Sequence, residues 1–181
     1  MLEFRNMKED KNMVKYLKRL YVNAFPRAER VPFFMLLRRA LRENADFYGI
    51  YNDEEFVGLT YTVKYMDIIY VFYLAFEPES RGKGFGSAAL DEIKSRFDGY
   101  RIILNIEKPD ANSSNNEERI RRRSFYEKNG FKRAGFTTIE KGVEFEMLRF
   151  GDKVARCEFD ALLRDFLGRI YTGAYIKPDK N

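Results

Sequence analysis

Arg81-Gly82-Lys83-Gly84-Phe85-Gly86 is the segment of this chain whose residue types and spacing can do chemistry. Three glycines alternate with a cation and an aromatic residue. Glycine takes positive φ readily and lets the backbone approach a ligand closely. If a helix opens behind it, the first N–H groups of that helix have no intrahelical partner, and the dipole adds positive potential. Arg81 and Lys83 add formal charge. An element of this kind holds a pyrophosphate. The spacing reads R-x-x-G-x-G. It is neither the G-x-x-x-x-G-K-[ST] of a P-loop nor the G-x-G-x-x-G of a dinucleotide fold.

The rest of the composition narrows the chemistry. There is no histidine, which removes Ser-His-Asp and Cys-His catalysis and nearly all zinc chemistry. A general base must therefore be Glu, Asp, Tyr or a water held by one of them. One cysteine, Cys157, excludes an internal disulfide and a Cys-cluster metal site. It follows an apparent strand and is expected to be a packing residue. No metal is expected. The net charge of +5 suits an acidic ligand.

The glycines need a strand before them and a helix behind them, and the sequence supplies both. Ile68 to Phe76 is an unbroken β-branched and aromatic run, which predicts a central strand buried on both faces. Ser87 to Phe97 predicts a helix burying Ala88, Ala89, Leu90, Ile93 and Phe97. Upstream, Leu2 to Met7 reads as a first strand. Lys8 to Phe25 reads as a helix with Met13, Tyr16, Leu17, Leu20 and Ala24 on one face, stopped by Pro26. Pro32 is expected in the first turn of a second helix carrying Phe33, Leu36, Leu37, Ala40 and Leu41. Phe47 to Tyr51 and Phe56 to Tyr65 form a hairpin about Asn52-Asp53. Downstream, Arg101 to Glu107 is a fifth strand, and the polar stretch Asp110 to Glu118 is a loop. Arg119 to Asn129 is a helix ended by Gly130. Gly135 to Ile139 and Val143 to Phe150 pair about Lys141-Gly142. Phe159, Leu162, Leu163, Phe166 and Ile170 share one face of a C-terminal helix.

Two motifs in this order carry a resemblance. R-x-x-G-x-G between the fourth strand and the third helix resembles the pyrophosphate loop of the GNAT family of N-acetyltransferases. Ser124-Phe125-Tyr126-Glu127-Lys128-Asn129-Gly130-Phe131 is similar to that family's second element, a helix ending in Tyr-x-x-x-Gly-Phe. The resemblance covers residues 1–150, expected to be an acetyl-CoA-binding N-acetyltransferase domain. Residues 151–181 are a helical extension expected to pack on the same domain. The implied fold is α+β in three layers, a mixed, mostly antiparallel central sheet flanked by helices, with the C-terminal helix added.

The resemblance also implies chemistry. The cosubstrate would be acetyl-CoA, and the acceptor an amine of a small molecule or peptide. Its pantetheine arm would lie along the fourth strand like an added strand. There the Leu74 N–H would polarise the thioester carbonyl, and Phe76 would hold the pantetheine amide. The N–H groups of Gly82, Lys83, Gly84, Phe85 and Gly86, helped by Ser87, would hold the pyrophosphate, with charge from Arg81 and Lys83. Tyr126 would sit near the sulfur, where a phenol protonated at neutral pH can give its proton to the departing thiolate. Phe125 and Phe131 are expected to pack. Glu107, at the end of the fifth strand, and Glu29, between the two early helices, are candidate bases, and a water relay is a third route. Tyr70 and Tyr73 could line the acceptor side or serve the core. Many members carry Asn seven residues before the tyrosine and Ala four before it. Here those positions are Arg119 and Arg122, and Arg119 to Arg123 either contact the adenosine phosphates or form a solvated helix face, the latter expected for most of them.

A non-catalytic acyl-CoA-binding module is the alternative. No nucleic-acid motif accompanies the arginine cluster, so no nucleic-acid partner is expected. No run approaches the length of a membrane span, and the N-terminus lacks a signal-peptide core, so a cytoplasmic protein with no membrane partner is expected. A homodimer stays open.

Overall fold

The computed structural model describes residues 2–27, 29–42, 44–140, 142–168 and 176–177. The elements run β1 (Leu2–Asn6), α1 (Val14–Ala24), α2 (Phe33–Ala40), β2 (Ala45–Asn52), β3 (Glu55–Tyr65), β4 (Ile68–Phe76), α3 (Phe85–Arg96) and β5 (Arg101–Glu107). Then follow α4 (Asn116–Lys128), β6 (Lys132–Glu140), β7 (Val143–Phe150), α5 (Arg156–Leu167) and β8 (Ile176–Lys177). The fold is α+β as expected, with mostly antiparallel strands flanked by helices. The chain forms two compact units. One comprises residues up to 64 together with 70–98, the other 65–69 together with the chain from 99 onward.

In the first unit the strands lie in the order β1-β2-β3-β4. Antiparallel pairing sets Phe4 opposite Ile50 and Phe47 opposite Tyr61. α1 starts later than its periodicity suggests. A 3-10 turn over Lys11–Met13 precedes it, capped by the Asp10 carboxylate, which accepts the Asn12 N–H at 2.8 Å. α1 stops at Ala24 because Phe25 precedes Pro26 and is pushed out of the helical region. Pro32 stands at the N-cap of α2 rather than inside its first turn. Leu17, Leu20, Tyr21, Leu36 and Ala40 are buried, whereas Leu41, expected on that face, is exposed. The β2–β3 hairpin turns on Asp53-Glu54, both at positive φ, one residue past the expected position. A two-residue hairpin loop with both residues left-handed matches the twist of its strands.

β4 is buried throughout only from Ile68 to Val71. From Phe72 onward burial alternates, with Tyr73 and Ala75 buried and Phe72, Leu74 and Phe76 half-buried.

In the second unit the order is β5-β7-β6-β8. Leu104 faces Leu148 and Ile106 faces Glu146 across β5 and β7. β6 begins at Lys132, three residues earlier than expected, because Phe131 is buried and Lys132 and Arg133 already pair with Arg149 and Leu148. α4 also begins three residues early. The Asn115 carbonyl accepts the N–H groups of Glu118 and Arg119, and Glu117 and Glu118 suit the positive end of the helix. The last part of the supposed loop is thus the first turn of α4.

α5 buries Phe159, Leu162, Leu163 and Phe166 as its periodicity predicts. Each such side chain contributes about 1.5–3 kcal/mol relative to exposure. Ile170 and Lys141 lie outside the described residues. Cys157 is exposed, contrary to the packing role expected of it. It precedes Phe159 by two positions, about 200° around the helix, and so faces away from the core. Arg101 joins three elements of this unit. Its guanidinium holds both oxygens of Asp67 at 2.7 Å and both of Glu158 at 2.8 and 3.1 Å. Among the described residues no helix is long and apolar enough to cross a membrane.

Candidate active site

The glycine loop opens α3 as predicted, but two residues early. Gly84 is the N-cap, at φ +82°, and Gly82 stands at φ +76°. A side chain at either position would strain the backbone yet meet nothing within 4 Å. The glycines are therefore required by conformation, and the space before them is open. Phe85, Gly86 and Ser87 form the first turn, so their N–H groups precede the first intrahelical bond, from Ala88 to the Gly84 carbonyl at 3.2 Å. Arg81 and Lys83 are exposed beside them, and Arg81 Nε reaches the Phe76 carbonyl at 3.4 Å. Ala88 is exposed, not buried as expected. Ala89, Leu90 and Ile93 supply the buried face.

Phe85 anchors this turn. Its ring packs with Leu74 and Phe76 against Ile50, Val57 and Ala89. Only its backbone is therefore left for a ligand. Strand alternation puts Leu74 and Phe76 on the α3 side of β4 and Tyr73 on the other. Gly58 makes this packing fit. A Cβ there would stand 2.7 Å from the Ala75 carbonyl oxygen and 2.8 Å from the Phe76 ring.

On the opposite face, Tyr73 takes one of the two roles left open for it. It is buried, and its hydroxyl donates to the Glu29 carbonyl at 3.0 Å and accepts from the Val31 N–H at 3.2 Å. Tyr21 donates to the Val31 carbonyl at 2.8 Å. The rings of Tyr21 and Phe25 stand 4.9 and 4.7 Å from that of Tyr73. Two phenols from α1 and β4 thus hold the segment that carries Glu29. Tyr70 is likewise buried. The Tyr73 clasp has no sequence signal beyond an aromatic at a strand position, because the carbonyl and N–H it binds lie some forty residues away.

In the second unit, Tyr126 is half-buried on α4 and packs edge-on against Phe125 and Phe131, with ring centres 5.1 and 5.7 Å away. Burial pushes its phenol up to about 12, opposed in part by the Arg122 guanidinium. It is a neutral proton donor at physiological pH. Gly130, at φ +86°, ends the helix as predicted.

Glu107 does not stand alone. Its Oε2 accepts from Asn115 Nδ2 at 3.0 Å and lies 3.1 Å from Arg119 Nε. Arg119 also donates to the Asn115 side chain at 2.9 Å and to the Lys108 carbonyl at 3.0 Å. The expectation of a solvated arginine face is therefore wrong for Arg119, which is turned inward onto Glu107. It is also wrong for Arg123, which is half-buried and faces Glu146 at 3.7 Å. It holds for Arg121 and Arg122, the latter paired with Glu118 at 2.9 Å. A carboxylate at the end of β5 and an arginine early in α4 are adjacent only because of the turn between them.

Residues 43–133 match the acetyltransferase (GNAT) domain, a span that includes the glycine loop and Tyr126. The chain belongs to the GNAT acetyltransferase family. Its fold is shared with solved structures at low identity. A protein assigned to the GNAT acetyltransferases of Bacteroides thetaiotaomicron is 20% identical, with a TM-score of 0.74 over 94% of this chain and 98% of that one. The ribosomal-protein-S18-alanine N-acetyltransferase of Escherichia coli is 14% identical, at 0.60 over 86% and 96%. An acetyltransferase of Bacillus subtilis, solved in complex with CoA, is 18% identical, at 0.59 over 84% and 99%. At these identities the likeness is one of fold. A comparison with curated proteins returns no match.

Proposed function

We propose that this protein transfers an acetyl group from acetyl-CoA to a primary amine of a small molecule or peptide, by direct attack while both substrates are bound. The observation that carries the reading is the left-handed Gly84 opening α3, with the first-turn N–H groups beside Arg81 and Lys83 and open space in front. Family membership supports the reaction class. Structural neighbours that include a CoA complex and a ribosomal-protein-S18-alanine N-acetyltransferase agree with it.

Acetyl-CoA supplies the acetyl group as a thioester. In this reading the N–H groups of Gly82 to Gly86, with Ser87, take the pyrophosphate, and Arg81 and Lys83 neutralise it. The Phe76 backbone takes the pantetheine amide. The Leu74 N–H donates to the carbonyl oxygen as charge develops on it. Tyr126, a phenol neutral at physiological pH whose pKa burial raises further, gives its proton to the sulfur as it departs. The amine loses its proton to Glu107, to Glu29 or to a water. On Glu107 the proton would go to Oε1, because Asn115 and Arg119 both face Oε2.

Calorimetric titration of acetyl-CoA into wild type and Gly84→Glu tests this. The expected wild-type Kd is on the order of micromolar, about −8 kcal/mol. Gly84→Glu places a carboxylate at an anion site and a side chain at positive φ, and it should abolish the heat while circular dichroism stays native. Free-thiol release across a panel of amines then identifies the acceptor. A folded wild type that binds no acetyl-CoA sinks the proposal. Binding without thiol release from any amine leaves an acyl-CoA-binding module.

A further inference from the structure

In the first unit, α2 leaves two large apolar side chains in water. Phe34 is 68% exposed, and Leu41, the C-cap residue, is 64% exposed. Leu37, between them, is half-buried. A turn of about 100° per residue puts Phe34 and Leu41 within roughly 20° of each other and Leu37 about 60° to one side. The three form one ridge along the helix, while Leu36 and Ala40 hold the opposite, buried face. Single apolar residues on a surface need no explanation. A ridge with the i, i+3, i+7 spacing of a helix–helix seam is a surface shaped for packing. Neither Phe34, Leu37 nor Leu41 has a part in the acetyl transfer proposed above.

The charge beside the ridge is one-sided. Arg38 stands about 40° from Phe34, on the side away from Leu37. Arg38 and Arg42 are exposed, and neither has a carboxylate partner among the described residues. Residues 14–42, which carry α1 and α2, hold eight lysines and arginines and one acid, Glu29. That surplus exceeds the net charge of +5 of the whole chain, so the remainder of the chain is net acidic. Lys15, Lys18 and Arg27 are exposed in the same segment. Apolar ridge and concentrated positive charge thus occur together on one helix.

Charge and shape select the occupant. A second copy of α2 would set its own arginines against these, like charge on like charge. A helix lying on a bilayer turns its whole apolar face to the lipid and its charged face away. α2 turns its larger apolar face to the core and shows a narrow ridge with arginines along one margin. A helix from another protein fits that ridge. Its own apolar seam covers Phe34, Leu37 and Leu41, and acids on its flank meet Arg38 and Arg42. Aromatic and arginine side chains are also the ones that carry most of the energy at protein interfaces. We propose that the outer face of α2 docks an acidic amphipathic helix of a partner protein, its apolar seam on Phe34, Leu37 and Leu41 and its carboxylates facing Arg38 and Arg42.

The test is fluorescence anisotropy of the full chain with a fluorescein-labelled helical peptide of about three heptads, with leucine on its seam and glutamate beside it. A second peptide carries lysine in place of glutamate, and a third carries serine in place of leucine. The acidic leucine peptide should bind with a Kd of about 0.1 mM or tighter, and both controls about tenfold more weakly. Phe34→Ser and Arg38→Glu should each weaken its binding about tenfold. Both side chains are exposed, so circular dichroism of the variants should stay native. Arg38→Glu should in turn bind the lysine peptide more tightly than wild type does. No binding of the acidic peptide at about 1 mM, equal binding of the lysine peptide, or binding that survives both substitutions overturns the proposal. Cosedimentation with vesicles of phosphatidylcholine and phosphatidylglycerol in equal parts, lost in Phe34→Ser and without peptide binding, assigns the face to an anionic bilayer and overturns it too.

Discussion

Tyr126 joins the sequence to the proposed mechanism at the scale of single residues. Its motif was legible because a tyrosine four residues before Gly-Phe at a helix end is a local pattern. Its protonation at neutral pH belongs to any phenol, and burial in the folded state only raises its pKa further. We predict that Tyr126→Phe leaves the acetyl-CoA Kd unchanged and lowers kcat for thiol release roughly 10²-fold or more. Equal kcat would remove Tyr126 from the mechanism. The sign of its pH linkage follows from the raised value. The folded state favours the neutral phenol, so the contribution of Tyr126 to stability is full below its ordinary pKa near 10. That contribution is lost as pH rises through about 12. The stability difference between wild type and Tyr126→Phe should therefore be flat from pH 7 to 9 and shrink at alkaline pH, as measured by urea denaturation. The inward turn of Arg119 onto Glu107 was not legible. A helix surface with four arginines reads as solvated until the end of β5 is placed against it.

β4 and α3 work together at the scale of elements. Alternation along β4 sends Tyr73 to the α1 side and Leu74 and Phe76 to the α3 side, and Phe85 fixes the first turn of α3 in the same cluster. The position of the glycine turn thus depends on close packing between β3 and β4 at Gly58. Gly58→Ala forces a methyl into the Ala75 carbonyl and the Phe76 ring. It should destabilise the fold by about 1–3 kcal/mol, read as a lower urea midpoint. It should also weaken acetyl-CoA binding if Phe76 holds the pantetheine amide as proposed. An unchanged midpoint would show that this contact yields at no cost. The order and type of the elements were readable from periodicity, whereas their boundaries shifted where capping decided them. α4 gained a turn from Asn115 to Glu118, and α3 opened at Gly84 rather than after Gly86.

The net charge of +5 acts at the scale of the whole molecule, on any acidic ligand. Acetyl-CoA affinity should fall several-fold between about 50 mM and 300 mM salt, because exposed charges are screened within a Debye length of about 10 Å or less. Lys83→Ala should weaken binding and flatten that dependence, as followed by calorimetry at the two salt concentrations. A slope unaffected by Lys83→Ala would place the attraction elsewhere. The sequence by itself determined the order and type of the main elements, the glycine turn that opens α3 and the tyrosine motif. These rest on hydrophobic period and backbone permissiveness, which act over a few residues. The Tyr73 clasp, the Glu107–Arg119 pair and the Arg101 clamp were decided by tertiary structure alone. Each joins groups far apart in the chain, and no local pattern encodes that.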